Sequence, residues 1–130
     1  MDTEGGSGTP AGSGSADSAE ESALRATIEQ NRATLRRMED KLADLKGRIA
    51  TLNSQIESDK ATLQEIKRNH ELGNEVDVDL YESTRRRHNS TVETQNELVD
   101  EYNSALREHK SLLSTTNDQI DHYNTLVRAQ

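Results

Sequence analysis

The side chains with the most chemical reach in this sequence are the imidazoles of His70, His88, His109 and His122 and the phenols of Tyr81, Tyr102 and Tyr123. Imidazole is the commonest protein ligand for transition metals and a general base near neutral pH, so these positions are the first to weigh. Their spacing argues against both roles. His88 and His109 lie three heptads apart, about 30 Å along a helix, and neither has a second His or a carboxylate three or four residues further on. With no cysteine, thiol nucleophiles and thiolate metal sites are excluded. No paired carboxylates, Ser-His-Asp arrangement or phosphate-cradling glycine loop stands in the sequence, so the expectation is no enzyme, no metal and no cofactor. Lys67, Arg68, Arg85, Arg86 and Arg87 form a basic cluster that could meet an anion or an acidic partner. Glu71, Glu75, Asp77 and Asp79 sit beside them, and mutual neutralisation on a solvated surface is the simpler reading. Asn89-Ser90-Thr91 matches a glycosylation acceptor, but in a helix such a match is best read as chance.

Composition limits what can position these groups. In 130 residues, 30% are hydrophobic, 2% aromatic and 31% charged, with no Phe or Trp, so a large globular interior has too little to build on. The net charge is −8, and the first 23 residues hold Asp2, Glu4, Asp17, Glu20 and Glu21 with no Lys or Arg. The remainder is nearly balanced, which disfavours nucleic acid as a partner. No apolar run is long enough to cross a membrane, and no apolar stretch follows Met1 as in a signal peptide. The chain reads as soluble, and as cytoplasmic if Met1 is native.

Residues 1–21 are rich in Gly, Ser and acid and are expected to be a disordered tail. Residues 22–130 read as a helical hairpin, with a helix over about 22–72, a turn over about 73–78 and a helix over about 79–129. In the first half, Ile28, Leu35, Leu42, Ile49, Ile56, Leu63 and His70 fall on heptad position a, and Leu24, Asn31, Met38, Leu45, Leu52, Asp59 and Ile66 on d. All but Asn31, Asp59 and His70 are large and apolar, which is the signature of a coiled-coil seam. In the second half, Val92, Val99, Leu106, Leu113, Ile120 and Val127 take a, while His88, Gln95, Tyr102, His109, Thr116 and Tyr123 take d.

The two frames are one residue out of phase, about 100° around a helix, so the chain must break between them. Gly73-Asn74 is the natural place, and Asp79 with Glu82 makes a capping box for the second helix. Folding about the midpoint between Glu75 and Val76 sets every a against a d: Ile49 with Tyr102, Leu42 with His109, Leu45 with Leu106, Leu52 with Val99, Asn31 with Ile120 and Asp59 with Val92. This predicts an all-α fold, a long antiparallel two-helix coiled-coil hairpin. Asn31, Asp59 and Gln95 act as register and partner specifiers, with Asp59 free to swing out toward Lys60 or a nearby Arg.

A further stripe bears on partners. Leu98, Ala105, Leu112 and Leu126, at g of the second helix, widen its apolar face beyond a and d. Lys41 and Arg48 stems or a second chain would cover it. A two-helix hairpin barely offsets the cost of ordering about 100 residues, so self-association into a four-helix bundle is expected.

At Tyr102-Asn103-Ser104-Ala105-Leu106 and Tyr123-Asn124-Thr125-Leu126-Val127 the chain resembles the Tyr-Asn-x-Leu-Val tracts of bacterial coiled-coil proteins, often envelope-associated or secreted. The likeness covers about residues 88–129, and His109-Lys110 and Thr116-Asn117 depart from it. It implies no catalytic or binding residues. It does imply that the acidic tail is a spacer following a removed anchor, which would place the chain at the envelope or outside the cell. The function expected is a coiled-coil spacer or protein-interaction module, self-associating or holding a protein partner, with no small-molecule substrate. The competing reading is a chaperone or secretion-adaptor hairpin that holds a client at its tip or on its Leu stripe.

Overall fold

The computed structural model describes residues 11–130, with side chains from residue 19 onward. Two helices account for it: α1, Ala11–Glu71, and α2, Val78–Arg128. Of the expected tail, residues 1–10 lie outside the described residues, and α1 is described from Ala11.

The break comes at Gly73-Asn74 as expected, but not because of heptad phase: inward Thr84, Thr91, Leu98 and Ala105 continue the seven-residue spacing of the α1 a column. Gly73 takes φ 81°, a left-handed conformation that only glycine adopts without steric cost. Its N–H bonds the His70 carbonyl at 3.0 Å, and the Asn74 N–H bonds the Asn69 carbonyl at 3.0 Å, the pair of bonds that define a Schellman end. α2 then starts one turn detail away from expectation. Its N-cap is Asp77, whose Oδ1 accepts the Leu80 N–H at 2.9 Å, rather than Asp79. Val76 before this cap and Tyr81 four residues after it line one groove, as a hydrophobic staple does.

The helices form two compact units, each an antiparallel pairing of an α1 segment with an α2 segment. In the unit Asp40–Leu106, which holds the turn, Leu45, Leu98 and Ala105 are buried together, with Leu42, Ile49, Leu52 and Tyr102 packed on them. In the other unit, where α1 up to Glu39 meets Arg107–Gln130, Ile28, Leu35 and Thr116 are buried, and Asn31 Nδ2 donates to Gln119 Oε1 at 2.8 Å.

On α1 the inward residues are the a and d positions read from the sequence, with His70 exposed. On α2 they are not. The tip unit turns Thr84, His88, Thr91, Gln95, Leu98, Tyr102 and Ala105 inward; the other unit turns in His109, Leu112, Thr116, Gln119, Tyr123 and Leu126. These sit at spacings of four and three, on columns d and g. The anticipated a column is left outside in part, with Val99 37%, Leu106 44%, Leu113 41% and Val127 43% exposed. Leu98, Ala105, Leu112 and Leu126 are therefore part of the hairpin's own packing and not an outward stripe. Leu45 meets Ala105 rather than Leu106, and Asn31 meets Gln119 rather than Ile120.

The rotation is about half of the 100° step between residues. Two causes favour it. Ala105, Thr84 and Thr116 are small, so α2 can lie close against the large Leu and Ile of α1. The polar residues on α1 also find polar partners on this face, as described below. Because Leu98 and Val99 are neighbours on opposite sides of this boundary, they should differ sharply in urea titrations of dilute protein. Leu98→Ala is expected to cost about 3 kcal/mol and Val99→Ala less than about 1 kcal/mol.

Candidate interaction surface

Asp59 is the most constrained polar group in the tip unit. Its side chain is 1% exposed, yet it belongs to an aliphatic column of α1. An unpaired carboxylate there would pay a large desolvation penalty. Arg87 removes the difficulty: its Nη2 donates to Asp59 Oδ1 at 2.6 Å and its Nε to Oδ2 at 3.2 Å. Gln55 Nε2 adds a bond to Oδ1 at 2.9 Å. The Arg87 hydrogen bonds, above all, hold the Asp59 carboxyl below its ordinary value of 3.8, against burial that pushes it up; Gln55 and the charges of Arg87 and His88 act in the same downward direction. Asp59 thus pairs with an Arg, as the sequence allowed, and does so while staying enclosed rather than by swinging out.

Arg87 itself is 59% exposed, its guanidinium folded back over the seam from the solvent side. This changes the meaning of the basic cluster. Arg87 is committed to Asp59, and Arg85 reaches Glu82 at 3.5 Å, an exposed pair worth little. Arg68 and Arg86 are exposed, while Lys67 lines a groove of about 330 Å³ with Ile66, His70, Val76, Val78 and Tyr81. The tip beyond this groove is apolar and acidic, for Leu72, Val78 and Leu80 are exposed beside Glu71, Glu75, Asp77 and Asp79. Of the five basic residues, Arg85 and Arg87 are thus paired with carboxylates, and all five are exposed.

The histidines hold structural places. His88 is half-buried with its Nδ1 enclosed and without a hydrogen-bond partner. His109 Nε2 lies 3.1 Å from Glu39 Oε2, and His122 Nε2 lies 3.0 Å from Glu20 Oε1. Among the described residues no group of three or more His, Asp or Glu could hold a metal ion, and no helix is long and apolar enough to cross a membrane.

What the sequence reading missed is the outward column of α2, Val99, Leu106, Leu113 and Val127, which it had placed in the seam. Both a and g were apolar beside d, so periodicity alone could not choose between them. The signal that could have chosen was Asp59, which needs a cation opposite, and Arg87 stands one column beyond g. No protein-family model, curated protein or solved structure matches the chain.

The ion pair yields an asymmetric expectation. Arg87→Ala strands a buried carboxylate, whereas Asp59→Ala leaves an arginine already in water, so thermal unfolding at pH 7 should fall further for the Arg87 variant. The native Asp59 carboxyl titrates below 3.8, so its contribution to stability is present above that pH and is lost as pH falls through the lower folded value. The midpoints of the native protein and of Asp59→Asn should accordingly converge as pH falls through that lowered value.

Proposed function

We propose that this chain is a non-enzymatic helical spacer or protein-interaction module, acting through self-association or by holding a protein partner. The observation that carries the reading is the exposed aliphatic column on α2. Val99, Leu106 and Leu113 follow one another at seven residues, with Val127 fourteen further on beyond half-buried Ile120, and these four are exposed. Single exposed aliphatics need no explanation, but a column at one period along one helix is a surface that another helix can cover. The polar seam points the same way. With Thr84, Thr116, Asp59, Asn31 and Gln95 among its inward residues, the hairpin buries little apolar area for its length.

A second reading, the adaptor hairpin that holds a client, is favoured by the tip, where Leu72, Val78 and Leu80 are exposed around the Val76 and Tyr81 groove. Photo-cross-linking side chains placed in the full chain at 106, at 78 and, as a solvent-face control, at 57 separate the two. The interaction-module reading expects protein adducts from 106 well above those from 57. Adducts from 78 with none from 106 select the tip, and adducts at the level of 57 from both positions contradict the proposal.

A further inference from the structure

The outward column of α2 belongs to a second heptad frame. Three residues before Val92, Val99, Leu106, Ile120 and Val127 stand Asn89, Asn96, Asn103, Asn117 and Asn124. Lys110 holds the equivalent place before Leu113. All of these Asn residues are exposed, and Val92 and Ile120 are half-buried where Val99, Leu106, Leu113 and Val127 are exposed. The steps of three and four alternate, so α2 carries two coiled-coil faces: one of d and g, turned to α1, and one of Asn followed by an aliphatic residue, turned away. The second face lies along one unbroken helix, Val78–Arg128.

We infer that this face is covered by α2 of a second copy of the chain, lying parallel and in register. The inference rests on the interaction-module reading above and names its partner. A parallel pairing sets each aliphatic layer against itself and each Asn against its own copy. An amide both donates and accepts, so two identical Asn side chains satisfy one another. Asn at this core position is the residue that fixes register and two-strandedness in parallel pairs. An antiparallel pairing would instead press each aliphatic against an amide with no amide to bond.

The flanking residues agree. In a parallel pair each flanking side chain meets the residue five further along on the other helix. Of these, half-buried His88 then lies nearest Glu93 of the second copy and half-buried Tyr123 nearest Arg128, while Thr116 stays inside the hairpin. At these flanks no like charges are opposed; in the core layers Lys110 meets its own copy, one like-charge layer that lowers the affinity of the pair. From Val92 to Val127 the face runs about 53 Å and is about 10 Å wide. Two copies thus cover about 1,000 Å², the least that holds a specific pair together, so the dimer is reversible.

Sedimentation equilibrium of the full chain tests this directly. At concentrations up to roughly 100 μM it should show twice the chain mass. Leu106→Glu combined with Leu113→Glu, both at exposed positions, should raise the dissociation constant roughly 100-fold with helical circular dichroism unchanged. Orientation is read separately: the chain has no cysteine, so Asn103→Cys under mild oxidation should give a disulfide-linked dimer. A dimer that survives the double Glu change, or one in which Asn103→Cys fails to cross-link, overturns the inference. A native chain monomeric at every concentration also overturns it, and leaves the interaction-module reading standing if position 106 cross-links to other proteins.

Discussion

A carboxylate placed in an aliphatic seam is the constraint on which the orientation of α2 depends. Asp59 is enclosed, and a charge so enclosed is tolerated only with an opposite charge and well-placed hydrogen bonds. Arg87 and Gln55 provide three bonds to it within 3.2 Å. Arg87 can do this only if α2 presents its d and g columns to α1. Facing Val92, the same carboxylate would be stranded. In the other unit Asn31 makes the same choice by bonding to Gln119, a g residue, rather than facing Ile120. Polar residues inside the seam thus select between two hydrophobic faces of nearly equal merit.

That selection has a consequence for function. The face turned inward is the more polar of the two, with Thr, His and Gln interleaved among Leu98, Tyr102 and Ala105. The face left outside carries Val99, Leu106, Leu113 and Val127, the column on which the proposed association rests. Here stability is spent on specificity at the seam, and the account of function follows from which column remains uncovered.

Much of the fold was legible in the residues. The helix break is legible in the Gly73-Asn74 pair, which suits a left-handed helix end, and the α1 seam from Ile28 through Ile66 follows from its period. One thing was not. The face of α2 was ambiguous because Val99, Leu106 and Leu113 are better hydrophobic residues than Thr84, Ala105 and Thr116, and periodicity weighs apolarity alone. Only complementarity across the seam, cation to Asp59 and small residue to Leu45, resolves the choice. The site inherits that ambiguity: Leu98, Ala105, Leu112 and Leu126 seemed outward because Val99 and its column seemed inward.

The most direct measurement is disulfide capture within a single chain that has no cysteine of its own. Leu45→Cys paired with Ala105→Cys joins two residues of one buried cluster, and Leu45→Cys paired with Leu106→Cys joins the partners that an a-and-d seam demands. In dilute protein, the first pair should close rapidly into an intramolecular bond while the second stays reduced. Closure of the Leu106 pair in preference to the Ala105 pair would contradict the assigned face of α2 and, with it, the outward column.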